Sequence, residues 1–160
     1  MPVPNLEELY QEFATLATVR RRGGTNPSAD DLKRAAAATG LPIPEGLAEF
    51  WHRFPDRHPP FWDVLRLGAT PPADGSPFDA EDLVHVNRDR RAAFPDALER
   101  CLLFFNTGWG GYDCFVFDGA NRLLGIGTWD EMEGPRGEPP EVSCPGWEEW
   151  FAGQMANLRS

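Results

Sequence analysis

Cys101 to Asp130, CLLFFNTGWGGYDCFVFDGANRLLGIGTWD, is the stretch whose reading decides the fold. Leu102-Leu103-Phe104-Phe105 is a continuous apolar run, as a strand covered on both faces requires. Cys114 to Phe117 is a second such run, and Leu123 to Trp129 a third. Asp118-Gly119-Ala120-Asn121 supplies hairpin-turn chemistry between those two. The first two are joined by Gly108-Trp109-Gly110-Gly111-Tyr112-Asp113, where glycine permits the positive φ of a tight turn. Gly125 and Gly127 inside the third strand predict a bulge, or a chain packed close against the backbone.

Working outward toward the N-terminus, the period changes to that of helices. Asn5 reads as an N-cap, with Glu8 three residues on completing a capping box. Leu6, Tyr10, Phe13 and Ala17 recur at helical spacing, which predicts a helix over 6–19 ending in the solvated cations Arg20, Arg21 and Arg22. Ser28 caps a second helix, 29–39, that Gly40 stops. After the extended Leu41-Pro42-Ile43-Pro44, residues Leu47, Phe50, Trp51 and Phe54 predict a third helix over 45–54 with an aromatic stripe. Phe61 to Leu67 has room for one strand. Gly68 to Asp82 reads as a surface connection, and Glu81 to about Arg91 as a short helix with Leu83, Val84 and Val86 inward. Beyond the sheet, 131–143 reads as irregular. Pro145 then opens a last helix bearing Trp147, Trp150, Phe151, Met155 and Leu158 on one side. The expected architecture is a single α+β domain over 1–160: N-terminal helices, a central, mainly antiparallel sheet, and a C-terminal helix packed back on it.

Bulk properties bound the function. A chain of 160 residues suits one core, and six Trp with eleven Phe exclude a disordered chain. A net charge of −10 argues against nucleic-acid binding, which needs a basic face. The charge is polarised. Residues 1–40 balance five acids with five bases, whereas residues 101–160 set nine acids against Arg122, Arg136 and Arg159, a net of −6. Pro2, Pro4, Asn5, Glu7, Glu8 and Glu12 interrupt the apolar run a leader would need, and no segment has the length of a bilayer span. The expected location is the cytosol, without membrane association. One Lys among 15 basic residues points to a GC-rich bacterial genome.

No catalytic constellation emerges. His52, His58 and His85 stand in separate contexts without a ligand-spaced partner, and Cys101 and Cys114 lie within strand patterns as buried thiols. The expectation is no metal, no cofactor and no catalytic site. The Gly108–Gly111 turn leads into a strand and lacks the Lys and following helix of a phosphate loop. Trp109 and Tyr112 sit on that turn, where each ring either serves as a binding anchor or folds back over the sheet edge. Asp113 either accepts from turn amides or projects to a partner. Trp129, Asp130, Glu131 and Glu133 form a second aromatic-acidic cluster where the third strand exits. These seven residues are the candidate partner-binding set.

Leu41-Pro-Ile-Pro-x-x-Leu-x-x-Phe-Trp, then Phe104-Phe-Asn-x-Gly-x-Gly-Gly-Tyr-Asp with Phe115-Val-Phe-Asp behind it, then a Gly-containing strand and Trp147-x-x-Trp-Phe follow in that order. The series resembles the SUKH superfamily, the Smi/Knr-like fold, over about residues 5–158. The family's usual Gly-Asp at the turn into the central strand stands here as Tyr112-Asp113, after Gly110-Gly111. The resemblance implies a non-enzymatic protein. Bacterial members are mostly immunity proteins that neutralise a cognate toxin, often a nuclease or deaminase, and others are regulatory scaffolds. The expected partner is thus a basic toxin domain, or alternatively an endogenous protein. A small-molecule sensor or enzyme using the groove beside the sheet is the third reading.

Overall fold

The computed structural model describes residues 5–20, 26–67, 82–108, 110–132 and 137–160. Among them, six helices are α1 (Leu6–Leu16), α2 (Ala29–Thr39), α3 (Glu45–Arg53), α4 (Leu83–Ala93), α5 (Pro95–Leu98) and α6 (Trp147–Arg159). Six strands are β1 (Val19–Arg20), β2 (Arg57–His58), β3 (Cys101–Gly108), β4 (Gly111–Phe117), β5 (Leu123–Asp130) and β6 (Val142–Cys144). Strands β3 to β6 form one antiparallel sheet in chain order, and β1 pairs with β2. The chain is α+β, with helices ahead of the sheet and a C-terminal helix returning to it.

Every residue of β4 is buried, because helices cover both faces of the sheet. On one face, Phe104 and Phe115 stack at 4.3 Å, and Trp147 and Trp150 of α6 close over them. A register shift between Leu103 and Phe105 lets Phe104 and Phe105 both reach Trp150, although strand alternation would separate them. Phe13 of α1 and Phe50 of α3 extend this aromatic layer toward Phe151. On the other face, Phe94, between α4 and α5, packs edge-on against Trp129 at 5.0 Å. Burial of each such ring contributes on the order of 1.5–3 kcal/mol.

The free edge of β3 is closed by a side chain. Asn87 of α4 is buried, and its amide accepts from Leu103 N at 2.8 Å while donating to Leu103 O at 2.9 Å. Next along that edge, Leu65 N donates to Phe104 O at 2.7 Å. The edge therefore offers few unpaired groups to a foreign strand.

Four expectations are corrected in detail. The first helix ends at Leu16, since the β-branched Thr18 and Val19 favour extended backbone and Val19 pairs with His58. No strand forms over 61–67. That segment makes only single bridges, Val64 to Phe105 and Arg66 to Asp82, and is pinned instead by buried Arg66, which bonds Asp63, Phe54 O and Arg57 O. Val142 and Ser143, the end of the stretch expected to be irregular, belong with Cys144 to β6, which pairs with β5. Val84 is half-buried rather than inward. Arg21, Arg22 and most of the 68–82 connection lie outside the described residues.

Candidate functional site

The register of the sheet brings the two candidate clusters to one end. Gly111 pairs with Asp130, Tyr112 with Trp129, and Asp113 with Thr128, so the turn and the exit of β5 are neighbours. Gly108 and Gly110 carry the turn, at φ 93° and 86°. Glu131 N then donates to Gly110 O at 3.1 Å, locking the exit of β5 to the turn.

Burial removes three of the expected binding residues from the surface. Tyr112 is 4 % exposed, and the Arg90 guanidinium lies 5.9 Å from its ring centroid. Trp129, opposite it, is 1 % exposed against Phe94. Both rings point to the sheet face that α4 covers, which a turn position alone does not reveal. Asp113 is buried on the other face, where Oδ2 accepts from Trp150 Nε1 at 2.8 Å and Oδ1 from Thr128 at 2.7 Å. Its partners are thus side chains of α6 and β5 rather than turn amides. Asp130 and Glu131 are half-exposed. Asp130 accepts from Met132 N at 2.7 Å, and Glu131 pairs with Arg90 at 3.0 Å. Trp109 and Glu133 lie outside the described residues.

What stays exposed at this end of the sheet is Asn106, Thr107, Gly108, Thr128 and Met132. The adjoining corner holds a residue that sequence reasoning placed in a strand. Phe61 is fully exposed and has φ +60°, a conformation bulky side chains rarely adopt. Such a backbone costs about 1–3 kcal/mol and persists only where its surroundings over-determine it. Here they do. Trp62 N donates to Pro59 O at 3.3 Å, and the Trp62 ring packs on Phe13, Phe50, Phe105 and Trp150 while its Nε1 donates to Gln154 at 3.1 Å. The signal available in the sequence was Pro59-Pro60 ahead of two large aromatics. Two prolines lack donors and restrict the chain, so a regular strand is unfavourable there.

Among the described residues, the hydrogen-bonding contacts of His52 and His58 run to groups other than thiols. Cys101 and Cys114 are fully buried, and the hydrogen bond between their thiols and the burial of both push Cys114 up. His52 meets the Asn26 amide, and His58 Nδ1 contacts Pro59 O at 2.7 Å. Among the described residues no group of three or more His, Cys, Asp or Glu converges as metal ligands would. A half-open cavity of about 340 Å³ lies between α2 and the start of α4, lined by Pro27, Asp31, Arg34, Ala35, Ala38, Leu67, Asp82 and Val84. Its carboxylates are engaged in the fold. Asp31 accepts from Ser28 N and pairs with Arg34, which hold it below the usual carboxylate range, and Asp82 caps α4 through His85 N. No helix among the described residues is long and apolar enough to cross a membrane.

Neither the protein-family models nor the curated proteins compared with this chain match it.

Proposed function

We propose that this chain is a non-enzymatic binding protein of the immunity type, which captures and neutralises a basic toxin domain in the cytoplasm. The distribution of net charge carries the reading: residues 1–40 are neutral overall, whereas residues 101–160 carry −6. Toward the N-terminus, Glu7 and Glu49 share Arg53, Glu12 pairs with Arg159, and Asp31 with Arg34. Toward the C-terminus, Glu138, Glu141, Glu148 and Glu149 are exposed and have no ion-pair partner among the described residues. An unneutralised acidic field of this kind raises the encounter rate with a basic partner and repels acidic ones. The resemblance to SUKH immunity proteins supports the same reading, with a nuclease or deaminase domain as the toxin.

The test asks first whether a gene adjacent to this one encodes a toxin domain, and then uses that domain, inactivated by mutation for binding work. The protein should restore growth to cells expressing the active domain, and the purified pair should form a stable complex. Association should slow as ionic strength rises, and reversing Glu148 and Glu149 to Lys should slow it further while flattening that salt dependence. Absence of a complex, or association indifferent to salt and to charge reversal, would overturn the proposal.

A further inference from the structure

The turn from Pro59 to Trp62 displays one apolar ring at a cost on two counts. A phenyl group that could be buried stands in water, and its backbone occupies a conformation suited to glycine. Exposure of the ring does not serve the fold, because the adjacent Trp62 supplies the core contacts and the hydrogen bond to α6.

The turn packs against α6 through Trp62, which meets Trp150 and bonds Gln154, and against β3 through Phe105, whose ring lies 5.1 Å from that of Trp62. Glu149 adjoins Trp150 and lies five residues from Gln154 along α6, about 7–8 Å of helical rise. An exposed apolar ring, on a turn packed against a helix that carries the exposed Glu148 and Glu149, complements a basic surface with a hydrophobic socket.

We propose that Phe61 is the anchor of the partner interface, inserting on binding into an apolar pocket on a basic protein domain, and that the Pro59–Trp62 turn holds it outward for that purpose. The inference rests on the binding reading above, and names an exposed ring where Tyr112 and Trp129 are buried.

The experiment measures binding kinetics of the inactivated toxin domain to the parent protein and to Phe61→Ala, Phe61→Leu and Phe61→Gly, with Leu124→Ala as a second exposed apolar position. Phe61→Ala should weaken binding by about 30-fold or more, chiefly through faster dissociation. Phe61→Leu should recover part of the loss, and Leu124→Ala should bind within about threefold of the parent. Phe61→Gly should bind as poorly as Phe61→Ala yet melt at or above the parent temperature, because relief of the positive φ offsets the added freedom of the unfolded chain. A parent that forms no complex would overturn the binding reading and this inference with it. A parent that binds, with Phe61→Ala within about threefold of it, would overturn this inference alone. A melting temperature lowered by several degrees in Phe61→Gly would assign the ring to the fold and overturn it likewise.

Discussion

The buried carboxylate of Asp113 receives the Trp150 indole N–H at 2.8 Å and the Thr128 hydroxyl at 2.7 Å, joining the central strand to both α6 and its neighbouring strand. Each oxygen has a donor within the fold, and the residue is buried. Replacing the carboxylate with an apolar group leaves the indole donor unpaired inside the protein, which costs about 1–3 kcal/mol. Asp113→Leu should therefore lower the urea midpoint with little change in slope. Asp113→Asn keeps one acceptor oxygen and should lose less. Equal stability of all three proteins would show that α6 does not depend on this contact.

That contact shows how far the sequence could be read. The strands β3, β4 and β5 were legible because long apolar runs with turn residues between them leave little choice. β6 was not, since Val142-Ser143-Cys144 is too short to display a period and is defined by the two glycines of β5 it packs against. The candidate site was harder. Tyr112 and Trp129 share a register position, but which face of the sheet α4 covers is a tertiary fact. The Asp113–Trp150 bond spans 37 residues and leaves no local trace. Phe61 was hidden because the largely apolar run from 61 to 67 reads as a strand and outweighs the two prolines ahead of it.

Tyr10 gives a pH prediction. Burial pushes its phenol up to about 12, against the partial relief of a 2.7 Å hydrogen bond from Trp147 Nε1. An unfolded tyrosine ionises near pH 10. Between about pH 10 and 12 the unfolded chain thus releases a proton that the folded chain keeps, so stability falls as pH rises through that window. Tyr10→Phe should abolish this part of the decline, while costing about 1 kcal/mol at neutral pH for the lost bond. Denaturant titrations of both proteins from pH 8 to 11.5 check the sign, and parallel profiles would place the phenol in water.

The Asn87 amide substitutes for a strand at the edge of the sheet, so its replacement has a specific consequence. Asn87→Leu fills a similar volume but leaves Leu103 N and O without their partners. The expected loss is about 1–3 kcal/mol for the buried N–H and C=O. An edge opened in this way also invites pairing with another chain. Light scattering during partial unfolding should therefore rise for Asn87→Leu beyond that of a comparably destabilised variant elsewhere, such as Asp113→Leu. Equal scattering would remove the edge-protecting role and leave only the stability effect.

Two glycine-to-alanine substitutions should act with opposite sign. Gly125 has φ +152°, and a Cβ there would fall 2.6 Å from Cys144 O and against Val142 Cγ1. The obstruction is partly backbone, so β6 must move. Gly125→Ala should destabilise by about 1 kcal/mol or more, from strain together with lost pairing. Gly153 lies on the exposed side of α6 with no atom within 4 Å of the same position. There alanine only restricts the unfolded chain and favours helix, so Gly153→Ala should stabilise by about 0.5–1 kcal/mol. Hydrogen exchange separates the two mechanisms. Gly125→Ala should lose protection first at the β5–β6 amides, where the strand detaches locally, whereas Gly153→Ala should gain it along α6. Uniform loss across the sheet in Gly125→Ala would instead make β6 inseparable from the core.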